Sequence, residues 1–330
     1  MKNWEFTLGV DVSKLTLDVN CAELNIHIKI TNGSAGFRLF LKWCKESGID
    51  LKKSIVAMEY TGGYEYKLMQ FCEAKKIQYS RIPGLAIKNS LGIIRGKNDK
   101  VDARRIAQYT NEKHKSITPA NPINPTIVGL RQFLSFRKRL VRESAGYKAT
   151  MKERKEMYTV KNNDTLVRIM NKKIKENNKL VKQLEIEMQA LIQTDQKILT
   201  NYNIVTSIRG IGNVNALMTI AYTENFTCFK NARSYAVYVG VVPFDHSSGT
   251  SLHGRKRVSN MANKELKQEL NQAARVAIEW NKDLKLYAEN KRKDKPYKVV
   301  LNNVKFKLIL RMFSLVKRGE FYVDNYQKVA

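Results

Sequence analysis

The chain has 330 residues, enough for two or three domains with a sizeable core, and its 43% hydrophobic content excludes a disordered polymer. It carries 59 Lys and Arg against 30 acids, a net charge of +29, and self-repulsion of that size calls for a polyanionic partner, nucleic acid first. No apolar run approaches a membrane span and Met1-Lys2-Asn3-Trp4-Glu5 is not a secretion signal. The four cysteines (Cys21, Cys44, Cys72, Cys228) lack Cys-x-x-Cys spacing, which argues against zinc and for a reducing cytoplasm, and all four read as ordinary core residues.

Phe6 to Val12 is an apolar run interrupted by Asp11 and reads as a buried strand. Leu15 to Val19 and Leu24 to Ile30 alternate as half-buried strands, with His27 on the outward register as a surface residue. Asn32-Gly33-Ser34 starts a helix over Ala35 to Glu46. Ser54 to Tyr60 reads as a further buried strand, Tyr64 to Lys75 as a helix and Ile77 to Ile82 as a strand closed by Pro83-Gly84. Three strands in series, then helix–strand–helix–strand, describe a mixed sheet with helices on its faces, in the element order of the ribonuclease-H-like α/β fold.

Sites in open sheets lie beyond the carboxyl ends of strands, and Asp11 and Glu59 both sit at such ends. Lys97-Asn98-Asp99-Lys100-Val101-Asp102-Ala103-Arg104-Arg105 adds two carboxylates which, if the run is helical, share a face. Mg²⁺ takes carboxylate oxygens together with substrate phosphates, so the four acids are candidate ligands for a one- or two-metal cage. Lys97, Lys100, Arg104 and Arg105 suit a phosphate backbone. The plainer reading of the run is a solvated helix face of mixed charge. Asp18, Glu65 and Glu73 read as surface acids.

Pro119, Pro122 and Pro125 mark a linker. From Val128 to Gln193 the chain is long-helical and charged, and Ile174, Val181, Leu184, Met188 and Leu191 recur at seven-, three- and four-residue steps as a coiled-coil seam. Either a second chain fills that seam, giving a dimer, or an antiparallel helical hairpin within one chain does, with Asn162-Asn163-Asp164 as its turn. Arg137, Lys138 and Arg139, beside Phe133 and Phe136, present cations and aromatics to nucleic acid, or simply a charged helix face.

Gly210-Ile211-Gly212 between two helices is similar to a helix–hairpin–helix turn, where glycines let backbone approach a phosphate, or is a simple capping turn. Pro243 to Arg257 reads as a loop rich in hydroxyls, with Arg255, Lys256 and Arg257 placed to hold a phosphate. A serine there needs activation from elsewhere, and on local grounds the loop is a flexible turn. The remainder is basic and mostly helical.

Asp11, Glu59 and Asp99-x-x-Asp102-Ala103-Arg104 resemble the DEDD motif of the insertion-sequence 110 group of transposases. Gly210-Ile211-Gly212, Gly240-x-x-Pro243 and Ser248-Gly249-Thr250-Ser251 resemble the C-terminal transposase domain of that group, in the same order. The resemblance covers nearly the whole chain. It implies a RuvC-like domain over 1–125, a helical coiled-coil segment over 126–198 and a mainly α transposase domain over 199–330. It also implies an RNA-guided recombinase whose structured bridge RNA pairs with donor and target double-stranded DNA. Mg²⁺ would be held by Asp11, Glu59, Asp99 and Asp102. Ser248, or its neighbour Ser247, would form a covalent link to DNA, in a homo-oligomer from dimer to tetramer that is cytoplasmic and nucleoid-associated. The departures are Ala262 and Lys267, where the family often has glycine and arginine. From the residues alone, a metal-dependent junction nuclease and a non-catalytic nucleic-acid scaffold remain as alternatives.

Overall fold

The computed structural model describes residues 4–60, 62–90, 98–158, 164–248 and 252–324, with backbone alone for 245–248 and 252–256. The chain divides into two compact units, 1–123 and 124–330.

The first unit opens with β1 (Phe6–Val12), β2 (Thr16–Cys21) and β3 (Ile26–Thr31), an antiparallel meander. After α1 (Ser34–Glu46), β4 (Ser54–Glu59) pairs parallel to β1, and after α2 (Tyr66–Ala74), β5 (Gln78–Ile82) pairs parallel to β4. The order across the sheet is β3-β2-β1-β4-β5. Two short-range signals build it: alternation in β1 sends Leu8, Val10 and Val12 into one core, and the parallel β1–β4 pair is joined through α1, as a parallel connection requires. That core holds Phe40, Cys44, Leu68 and Cys72 from α1 and α2. The opposite face carries α3 (Gly84–Ser90) and α4 (Asp99–Glu112), with Ala57, Ile82, Ile87 and Ile106 forming a smaller apolar cluster there.

The second unit is mostly helical. α5 (Pro125–Met157) begins with proline at its first turn, where the missing N–H costs nothing, so Pro125 starts a helix rather than extending a linker. α6 (Thr165–Gln193) returns antiparallel. Arg137 Nε meets Glu185 Oε1 at 2.8 Å, Arg154 lies 4.0 Å from Asp164, and Gly129 sits under Leu191. Of the expected seam residues Ile174 and Met188 are buried and Val181, Leu184 and Leu191 half-buried, and Val167, Asn177 and Ile192 are buried besides. They pack on α5 of the same chain, so the hairpin is the arrangement found here. Asp164 caps α6, while Asn162 and Asn163 lie outside the described residues. At its root the hairpin joins the main core through Ile127, Leu130, Leu134, Met188 and Ile192.

That core is completed by α7 (Gln196–Thr206), α8 (Asn213–Thr223), α9 (Ala232–Val239), α10 (Lys264–Trp280), α11 (Lys282–Arg292) and α12 (Tyr297–Arg318). Between α9 and α10 lies an antiparallel pair, β6 (Pro243–Ser248) and β7 (Leu252–Val258). The stretch expected to be a loop is therefore a β-hairpin. Its polar sequence hid the pairing because both strands lack an apolar face. Cys228 is exposed rather than a core residue, whereas Cys21, Cys44 and Cys72 are buried. Among the described residues no helix is long and apolar enough to cross a membrane.

Candidate functional site

The acids gather on the α4 face of the sheet because of a glycine. An added Cβ at Gly9 would come within 2.4 Å of the α4 backbone at Ala103 and Ala107, so the helix lies directly on β1. Asp11 is two residues on and hence on the same face, toward the start of α4, where Asp99 and Asp102 occupy the first turn. β1 pairs with β4 as Gly9 with Ala57, and continuing that register sets Glu59 beside Asp11. The Glu59 carboxylate rests against Gly84, where a side chain would collide with it.

Asp11 records the crowding. Its carboxyl is pushed up to about 6, first by burial and then by the charges of Asp99, Asp102, Glu59 and Asp18. All four expected acids thus lie within electrostatic reach of one point. They are not yet arranged as ligands. Asp102 is bound by Arg105 at 2.9 Å, Asp99 faces Lys29 at 3.9 Å, and no group of three acids, histidines or cysteines among the described residues is set to hold a metal ion. The donor chemistry nevertheless suits a hard cation: oxygen ligands only, mutually repelling, at a strand end. Coordination would require side-chain rotation, since the backbones already share one face. The two aspartates also have a local reason for their position, because carboxylates are favoured in the first turn of a helix.

A fifth acid belongs to this face. Asp18 pairs directly with Asp11 across β1 and β2. It is buried, not a surface residue, and is held by His27 Nε2 at 2.8 Å and Lys29 Nζ at 3.2 Å. His27 is accordingly half-buried and bonded. Both readings failed because they assigned each strand a solvent face before α4 was placed over it. The signal was available in the equal parity of Asp11, Asp18 and Lys29 across two antiparallel pairings. Glu65 is likewise buried, its carboxylate accepting from the Gly63 N–H at 2.8 Å, and Glu73 accepts from the Tyr79 hydroxyl and the Ile123 N–H.

Of the expected nucleic-acid contacts in the first unit, Lys100 and Arg104 are exposed, Arg105 is committed to Asp102, and Lys97 lies outside the described residues. In the second unit Arg137 is paired with Glu185 and Lys138 with Glu265 at 2.6 Å, while Arg139 is exposed. Gly210, at φ +99°, packs against Ala273 and Ala277 of α10, so its close approach is to a helix; Gly212 opens α8 and faces free space. Arg257 is exposed on β7, and the side chains of Ser247, Ser248, Arg255 and Lys256 lie outside the described residues. Ser248 is the last residue of β6, paired with Leu252. Where the family often has glycine, Ala262 packs on Gly240, which has no side chain to obstruct it.

An acid-bearing mixed sheet followed by a basic helical unit suits a protein that acts on nucleic acid. Two sequence families match in order, one described as a transposase of the DEDD IS110 type over residues 8–153, the other as the transposase IS116/IS110/IS902 family over residues 202–289. The pilin gene-inverting proteins of Moraxella lacunata and Moraxella bovis are each 25% identical over 271 residues, 80% of this chain and 80% of theirs. An uncharacterized 43.6 kDa protein of insertion element IS110 from Streptomyces coelicolor is 27% identical over 120 residues, 36% of this chain and 29% of its own. The chain belongs to the IS110 family of transposases, enzymes that recombine DNA.

Proposed function

We propose that the protein is an RNA-guided DNA recombinase whose first unit is RuvC-like and whose Asp11, Glu59, Asp99 and Asp102 hold Mg²⁺. The observation that supports this most is geometric: β1, β4 and the first turn of α4 bring Asp11, Glu59, Asp99 and Asp102 to one face, where burial and the other three acids raise the proton affinity of Asp11. The sheet order, with β1 central and flanked by β2 and β4, supports the ribonuclease-H-like assignment. Gene inversion, named for the Moraxella proteins, also requires DNA to be cut and rejoined.

Mg²⁺, when bound, would neutralise charge at the scissile phosphate and lower the proton affinity of the attacking oxygen. The chain supplies the rest. Ser248 Oγ attacks phosphorus and gives up its proton; a phosphoserine bond forms as the bridging P–O bond breaks, and the leaving oxygen takes a proton to become a strand-end hydroxyl. Attack by the hydroxyl of another strand reverses the step and releases the serine, so the phosphodiester energy is kept. Lys100 and Arg104 in the first unit, and Arg139, Arg255, Lys256 and Arg257 in the second, would neutralise backbone phosphates. Sequence choice falls to a bridge RNA paired with donor and target DNA, and a dimer or tetramer brings acids and serine together from different copies.

The test is a denaturing gel of protein, RNA and a suicide DNA substrate with Mg²⁺. A protein–DNA adduct is expected, absent in Ser248→Ala and in Asp11→Asn. Cleavage without adduct that persists in Ser248→Ala would instead establish a water-using nuclease, and intact DNA bound equally well by Asp11→Asn would establish a scaffold.

A further inference from the structure

α12 buries a stripe of Leu301, Val304, Leu308, Ile309 and Met312, and in the middle of it stands Lys305, only 3% exposed. No hydrogen-bond or ion-pair partner for its ammonium exists among the described residues. α10 packs on α12 and carries Lys267, half-buried and equally without a partner among the described residues. Burial pushes the Lys305 ammonium down to about 8, the nearby Lys267 charge adds to this, and burial lowers Lys267 as well.

Of the acids on α10, Glu265 is bound by Lys138 of α5, and Glu269, whose carboxyl is raised mainly by burial, makes no ion pair with either lysine among the described residues. Two cations on packed helices, one almost fully buried and neither matched by an anion among the described residues, cost the folded chain free energy that a bound anion would return. The pair also has a definite location. One turn before Lys305, the Asn302 amide donates to the Val241 carbonyl, two residues ahead of β6. One turn before Lys267, the Asn263 backbone N–H donates to the Tyr238 carbonyl at 2.9 Å. The lysines therefore lie beside the foot of the β6–β7 hairpin that carries Ser248.

We propose that Lys267 and Lys305 together seat one phosphate group of a nucleic-acid strand at the foot of this hairpin. The assignment rests on reading the chain as a nucleic-acid enzyme, but not on serine chemistry or on Mg²⁺. Lysine suits the task as a point charge that needs no fixed fork geometry, so Lys267 can serve where the family often has arginine.

The experiment measures binding of the full-length protein to a random-sequence 20-mer duplex, without RNA and in EDTA, across a salt series. Lys305→Met keeps the length and apolar stem and removes the charge. It is expected to weaken binding by about tenfold and to reduce the slope of log K against log salt by about one. Lys267→Met should act alike, and the double variant should lose little more than either single one, because both serve one phosphate. Inorganic phosphate should raise the melting temperature of the parent protein and not that of Lys305→Met. An unchanged salt slope in Lys305→Met, with the variant as heat-stable as the parent, would overturn the assignment. Failure of the parent protein to bind DNA would overturn it together with the nucleic-acid reading, whereas absence of a serine adduct would leave it standing.

Discussion

Asp11→Asn should make the metal-free protein more stable at neutral pH. The carboxyl of Asp11 moves from 3.8 to about 6 on folding, so the native state holds the proton more tightly than the unfolded chain. Stability from this group is therefore full below pH about 4, falls as pH rises to about 6, and stays lower above. Two pKa units correspond to about 3 kcal/mol; solvent screening of a half-buried carboxylate reduces the usable part to about 1–2 kcal/mol. That is a rise in melting temperature of roughly 3–8 °C for a unit of this size. Thermal unfolding in EDTA at a series of pH values is the assay, and the difference between the two proteins cancels groups they share. The gap should close near pH 4 and open by pH 6.5, and millimolar Mg²⁺ should stabilise the parent more than the variant. A variant less stable than its parent at pH 7.5 in EDTA would refute the account of the acidic face.

Gly9→Ala should cost about 3 kcal/mol or more, since the methyl group meets helix backbone that cannot rotate away; hydrogen exchange should speed up throughout α4. Asp18→Asn leaves His27 and Lys29 beside a neutral amide and should lower stability by about 2 kcal/mol at pH 7, measurable by urea unfolding. Met188→Ala removes a fully buried side chain from the hairpin root, and a loss of about 2–4 kcal/mol is expected in the second unit's transition.

The sheet was legible because its signals are local. Phe6–Val12 has the bounds its apolar run gave it, and β4 and β5 differ from expectation by a residue at one end. Spacing put Asp99 and Asp102 on one helix face and Asp11 and Glu59 at strand ends; what it could not give was the face the four share, which depends on Gly9 admitting α4. Asp18 and His27 were misplaced for the same reason: alternation tells which residues share a side, not which side is later covered. The α6 seam was readable in part, since Ile174 and Met188 are buried while Val167, Asn177 and Ile192 were missed, and a heptad pattern is silent on whether the filling helix belongs to the same chain. The β6–β7 pair escaped because hydroxyls and cations in both strands carry no period. Lys305 occupies a core position of α12 that only the packed helix reveals.

The α5–α6 hairpin has a mechanical consequence. α5 alone runs 33 residues, about 50 Å. Its root is embedded among Ile127, Leu130, Leu134, Met188 and Ile192, whereas Leu140, Ser144, Val167 and Ile174 are buried only between the two arms. Anchored at one end, the pair has the geometry of a lever, in which a slight tilt at the buried root would become a wide sweep at the far ends of α5 and α6.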